Sequence, residues 1–190
     1  MIINIRGTSG SGKTTLVRRL LENCSNQQKH YIDGRKQPIG YVYHQTPGEK
    51  PLAVIGHYET ACGGCDTIQK MEKVFELVRL SHSLGYDVIF EGLLIAADVN
   101  RTQALHDDGL PLTVIALSEV PIEVCLSSVN ERRMARLGPE KYTPVAEKNT
   151  RSKYRGVQTS CVRLVDAGVN VHMTDREGAY STISHTLWGI

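Results

Sequence analysis

Gly7-Thr8-Ser9-Gly10-Ser11-Gly12-Lys13-Thr14, followed by Thr15, is the stretch whose spacing carries the most definite chemistry. It satisfies GxxxxGK[ST] at every position. Its glycines let successive backbone N–H groups curl around a phosphate, and a helix starting there adds its positive end. Lys13 would bridge the β- and γ-phosphates, and the Thr14 hydroxyl would ligate Mg²⁺. The expected cofactors are therefore ATP and Mg²⁺. ATP is favoured over GTP because the chain has no NKxD motif, which also argues against a GTPase switch.

Phosphoryl transfer also needs carboxylates and cations. Glu91 closes the run YDVIFE and precedes Gly92. In a parallel sheet the ligand crevice lies at the carboxyl ends of strands. A carboxylate there can hold a Mg²⁺-bound water or accept the proton of an attacking hydroxyl; the bland alternative is a structural glutamate. Asp33, after HYI in HYIDGRK, is read as ending a second strand, where it would orient the acceptor, or as half of an Asp-Gly turn. Arg132, Arg133, Arg136, Lys141, Lys148, Arg151, Lys153 and Arg155 crowd one segment, and between Arg132 and Arg155 the only acids are Glu140 and Glu147. The segment breaks around Gly138-Pro139 and Pro144, so it reads as a basic lid over about 130–156 that closes on the nucleotide and excludes water. Arg132 and Arg136, one helical turn apart, are its first candidates for phosphate contact. A solvated charged helix face is the alternative.

HYETACGGCDTI, residues 57–68, admits several readings. Cys62 and Cys65 have CxxC spacing but supply only two of the four ligands that structural zinc needs. No second such pair exists, so His44 and His57 would have to complete the site. The remaining readings are a plain Gly-Gly turn, or a loop whose glycines let an acceptor come close. In the last case Asp66 either caps the following helix or faces the acceptor hydroxyl, with Tyr58 and Glu59 beside it.

These groups need a scaffold, and the pattern supplies one. Residues 2–6 read as a strand leading into the Gly-rich loop, with a helix after it. Residues 40–45 and 52–58 read as a hairpin, about 38–60 with its flanks. A helix is expected from Asp66 to about Ser83, a strand over YDVIFEG and a helix over 98–108. There follow a strand over 111–117, a helix begun by Pro121, a helix over about 145–167, a strand over 169–173 and a closing helix. The alternation predicts an α/β three-layer fold with a mainly parallel sheet, an inserted β-hairpin and a basic helical lid, all in one domain over 1–190.

At 190 residues and net charge +2 the chain is no polycation, so nucleic-acid affinity would need a local basic patch. Nothing approaches a membrane span or a signal peptide. Five cysteines make no paired framework, which fits a reducing cytoplasm.

GTSGSGKTT, the strand-end Glu in VIFEG, and TVIALSEVPIEVCLSSVNERRMARLG together resemble the small P-loop kinases of nucleosides, nucleotides and sugars. The last segment looks like the strand and lid helix of such enzymes. GYVYHQ and PLAVIGHYETACGGCDTIQK resemble, more narrowly, bacteriophage P-loop kinases acting on the 5-hydroxymethyl group of hydroxymethyluracil in DNA. That resemblance implies an acceptor base swung out of the polymer, in the cytoplasm of an infected host. Tyr41, Tyr43 and Tyr58 would then stack on bases and the lid would meet the backbone, though β-propensity alone also explains the tyrosines. The rivals are a kinase of free nucleosides or nucleotides, which the modest net charge favours, and a nucleotide-binding regulator.

Overall fold

The computed structural model describes residues 1–32, 34–44, 50–60, 63–145 and 147–189. Its centre is β1 (Ile2–Arg6), every residue of which is buried, as the unbroken run IINIR requires of a strand covered on both faces. β1 lies between β5 (Asp87–Glu91) and β6 (Leu112–Ala116), parallel to both. β4 (Leu52–Ile55) extends the parallel sheet beyond β5, and β7 (Asn170–Met173) extends it beyond β6. Two antiparallel strands, β2 (Gln27–His30) and β3 (Gly40–Tyr43), complete the order β2-β3-β4-β5-β1-β6-β7. The β3–β4 pair is a hairpin, yet its second strand also belongs to the parallel ladder, so the antiparallel extension is β2 with β3.

Side chains alternate between two helical layers, as the strand period dictates. Ile2, Val88 and Phe90 pack with α2 (Met71–Ser83), α4 (Asn100–Asp107) and α6 (Glu147–Asp166) through Val74, Phe75, Leu105 and Leu164. Ile3, Ile5 and Ile89 face α1 (Lys13–Leu21), α5 (Ile122–Leu137) and α7 (Arg176–Trp188) through Leu16, Val17, Leu20 and Ile183. Truncating one of these fully buried leucines to alanine would cost about 2–5 kcal/mol. The result is the three-layer P-loop arrangement. After β1 the chain crosses to β2 at one edge of the sheet, whereas after β5 it passes over β1 to β6; these opposite departures from two adjacent strands open a crevice at their carboxyl ends.

Three expectations are corrected. The helix expected from Asp66 starts at Met71 instead. Cys65–Thr67 forms a single 3-10 turn, and Ile68 and Lys70 are extended, which interrupts the helical path. A short helix, α3 (Leu93–Ala97), stands directly after β5, ahead of the helix expected at 98–108. The second strand ends at His30, before Asp33, and Asp33 itself lies outside the described residues. Among the described residues no helix is long and apolar enough to cross a membrane.

Candidate active site

β1 delivers the chain into the Gly7–Thr14 loop, and α1 begins at Lys13. Lys13 is 7% exposed, and its ammonium donates to the carbonyls of Gly7 at 2.7 Å and Thr8 at 3.2 Å. Burial pushes its pKa down, while the nearby Glu91 and Asp66 carboxylates pull it back. Thr8 Oγ1 and Ser11 Oγ are buried without a hydrogen-bond partner. Unsatisfied buried hydroxyls are costly unless something polar meets them, and here both sit in the Gly7–Thr14 loop.

Glu91, 1% exposed, ends β5 beside this loop. Its Oε1 accepts a 2.8 Å hydrogen bond from Thr14 Oγ1. Burial raises its pKa above the ordinary carboxylate value, opposed by Lys13 and by the Thr14 hydroxyl. The Thr14–Glu91 pair offers hard oxygen atoms at the loop, the donor set that suits Mg²⁺. The orphaned loop hydroxyls and Lys13 likewise suit a polyphosphate.

The 57–68 stretch closes the other side. Backbone bonds pair His57 N with Gly64 O at 3.1 Å and Gly64 N with His57 O at 2.7 Å, pinching the loop at its neck. A Cβ on Gly63 would stand 3.0 Å from Thr14 Cγ2 and 2.4 Å from the His57 carbonyl. Gly64 has φ +80°, and a Cβ there would fall 2.4 Å from Glu91 Oε1. The glycine pair therefore lets backbone lie directly on Thr14 and Glu91. The Cys65 thiol is buried, its pKa pushed well up by desolvation, and it donates to Ile55 O at 3.3 Å. Cys62 lies outside the described residues, and among those described no group of three or more metal-ligating side chains comes together. The His57 ring is buried with neither nitrogen bonded, and desolvation lowers its pKa.

Asp66 does not cap α2. Its carboxylate instead accepts from Leu93 N at 2.8 and 2.9 Å and from Leu94 N at 3.4 Å, fixing the start of α3 beside Glu91. The groups converge on a cavity of about 680 Å³, lined among others by Lys13, Thr14, Asp66, Glu91 and Arg132. Ser9, Gly10, Gly12 and Thr15 of the loop also border it. Arg136, one turn from Arg132, is exposed and lies outside this lining.

The tyrosines do not serve as stacking platforms. Tyr41, Tyr43 and Tyr58 are 2%, 4% and 7% exposed, packed in the core against α1. Their hydroxyls are engaged: Tyr41 accepts from Tyr58 N, Tyr58 donates to Ile55 O, and Tyr43 accepts from Gln27 Nε2. Glu59 pairs with Lys29. The apolar demands of the α1 face outweighed any surface role.

Three cations escaped the sequence reading because no local motif marks them. Arg176, the first residue of α7, donates to Ser11 O at 2.8 Å and Gly10 O at 3.1 Å, bracing the phosphate loop from the far end of the chain. Arg18 donates to Tyr58 O at 3.0 Å and to Thr60 O, tying α1 to the 57–64 loop. Arg6 is fully buried at the end of β1 and donates to Asn4 Oδ1, Ala96 O, Asp98 O, Thr102 Oγ1 and Ser160 Oγ. Its burial lowers its pKa to about 10.

No family model matches the chain. It is 48% identical over 186 residues to a 5-hmdU DNA kinase of Pseudomonas phage PaMx11, covering 98% of this chain and 96% of the relative. It is 24% identical over 176 residues to a 5-hmdU DNA kinase of Bacillus phage SP10, covering 89% of this chain and 26% of that longer protein. Among solved structures, a deoxyadenosine kinase from M. mycoides aligns over 100% of both chains with 15% identity and a TM-score of 0.47.

Proposed function

Since the chain belongs to the family of 5-hmdU DNA kinases, we propose that it transfers the γ-phosphoryl group of ATP to the 5-hydroxymethyl oxygen of hydroxymethyluracil in phage DNA. The observation that carries this is the junction at Glu91, which touches the phosphate-loop residue Thr14 on one side and the Gly63–Gly64 backbone on the other. Donor and acceptor sites meet there at a single carboxylate.

In this reading the acceptor oxygen attacks the γ-phosphorus. Its O–H proton passes to Glu91, and the bond from the γ-phosphorus to the β–γ bridging oxygen breaks, releasing ADP. Desolvation prepares Glu91 for the task, because a raised pKa makes the carboxylate a better proton acceptor near neutral pH. Oε1 is held by Thr14, so Oε2 is the atom assigned to the proton. Lys13 exchanges the Gly7 and Thr8 carbonyls for phosphate oxygens, and Thr8 and Ser11 donate their unpaired hydroxyls. Thr14 would hold Mg²⁺, which when bound offsets charge on the phosphates.

Asp66 acts at one remove, fixing α3 and hence the peptide after Glu91. Arg132 reaches the cavity from α5, and the basic stretch joining α5 to α6 closes over it as a lid of about 130–156, excluding water. Such an enzyme would work in the cytoplasm of the infected host, where phage DNA lies.

The test is incubation with γ-labelled ATP and, separately, hydroxymethyluracil-containing DNA, plain DNA and free nucleosides. Label entering only the modified DNA is the expected result. Label entering only free nucleosides would make this a small-molecule kinase, and phosphate release with no acceptor labelled would make it a regulator.

A further inference from the structure

Leu94 is 66% exposed, more than any other large apolar side chain among the described residues. A single surface leucine is ordinary, but the placement of this one is not. It is the second residue of α3, three positions after Glu91 and adjacent to Leu93, which lines the cavity. It therefore stands at the rim of the acceptor side.

Its backbone is braced from several directions. Asp66 accepts from the N–H groups of both Leu93 and Leu94. Ile95 and Ala96 are buried immediately behind it. The Ala96 carbonyl is gripped by Arg6 Nη1 at 3.2 Å and Ser160 Oγ at 2.8 Å. The turn is thus rigid, and it presents one bare apolar side chain to solvent.

The same rim carries positive charge. Arg35 donates to Thr67 O at 2.9 Å and so fastens the β2–β3 connection, with the exposed Lys36, beside the 3-10 turn that holds Asp66. An apolar tip on a rigid turn, with cations on the neighbouring β2–β3 connection, fits duplex DNA. Extruding a base leaves a gap in the stack, and an apolar side chain inserted between steps fills it while cations hold the flanking phosphates.

We infer that Leu94 is the wedge that enters the duplex when the acceptor base is turned out toward Glu91. This rests on the DNA-kinase reading above and adds a way of reaching a base that is paired. The step is non-covalent: it exchanges base stacking for leucine–base contact.

The test compares the unsubstituted protein with Leu94→Ala and Leu94→Phe on one hydroxymethyluracil strand, single and annealed to its complement. A 2-aminopurine next to the target reports unstacking. Leu94→Ala should lower kcat/KM on the duplex about tenfold and change the single strand by less than about twofold. Leu94→Phe should retain duplex activity, and the fluorescence rise on binding should be lost only in Leu94→Ala. An equal loss on both substrates, or no loss on the duplex, overturns the wedge. So does an unsubstituted protein that labels the single strand but not the duplex. Failure of the unsubstituted protein to label either strand would instead remove the kinase reading beneath it.

Discussion

Thr14 Oγ1 donates to Glu91 Oε1 across 2.8 Å, so one hydroxyl joins the first turn of α1 to the end of β5. A glutamine at 91 can still accept that bond but cannot take a proton from an acceptor hydroxyl. Glu91→Gln should therefore lower kcat by about 10²- to 10⁴-fold while nucleotide affinity stays within about threefold. Rapid-quench turnover and nucleotide titration separate the two effects. Near-normal turnover would remove Glu91 from the chemistry.

The acid limb of the pH–rate profile should report the same group. Burial raises the Glu91 carboxyl above 4.5, and a base works only when ionised. As pH falls, the proton fills Glu91 earlier than it would fill an exposed glutamate, so the limb lies above 4.5. Glu91→Gln should abolish that limb. A limb at or below 4.5 in the unsubstituted protein would contradict the assignment.

Arg132 and Arg136 should part company. Arg132 borders the cavity and Arg136 does not. Arg132→Ala should cost at least about a hundredfold in kcat, the scale of a lost transition-state cation, and Arg136→Ala less than about threefold. Equal losses would mean that lid closure brings both to the phosphates.

Much of this was legible in the sequence, for identifiable reasons. The Gly7–Thr14 motif is contiguous, so the strand before it and the helix after it could be read directly. Buried parallel strands announce themselves as apolar runs, which placed Glu91 at the end of β5. Arg18 and Arg176 were not legible because each acts on backbone carbonyls, which leave no mark in a sequence, and Arg6 was not because its polar partners come from distant segments that only the fold brings together. The three tyrosines misled for a related reason. β-Propensity gives the strand but not the side it faces, and the α1 surface claimed them for the core. Asp66 looked like a cap and is one, but for α3, twenty-seven residues on, rather than for its own helix.

Gly64→Ala should be far worse than a turn substitution. With φ +80° and ψ −162°, its backbone lies in a region in effect open to glycine alone, which costs a side chain about 1–3 kcal/mol, and the new methyl would also collide with Glu91 Oε1. Thermal unfolding should show the strain, while kcat should fall well beyond what the lost stability explains. A stable variant with full kcat would separate the glycine pair from the carboxylate.

His57 gives a test in acid. Its folded pKa lies below 6.5 through burial, so the unfolded chain takes up the proton first as pH falls through 6.5. Stability that is complete above 6.5 is thus lost progressively below it. His57→Leu should remove this contribution and be neutral to about 1 kcal/mol stabilising at pH 7, since two unbonded ring nitrogens disappear. Urea titrations across this range provide the measurement, and an unchanged acid slope would contradict it.

The paired bonds between His57 and Gly64 have a consequence for how such a protein can change. They close the neck of the loop through main-chain atoms alone, so that grip does not depend on the side chains at its tip. The exposed Glu59 can be exchanged there without moving the carboxylate or the phosphate loop, whereas Tyr58 is held in the core and Gly63 against Thr14. A kinase built this way can vary the surface of that loop while its transfer chemistry stays untouched.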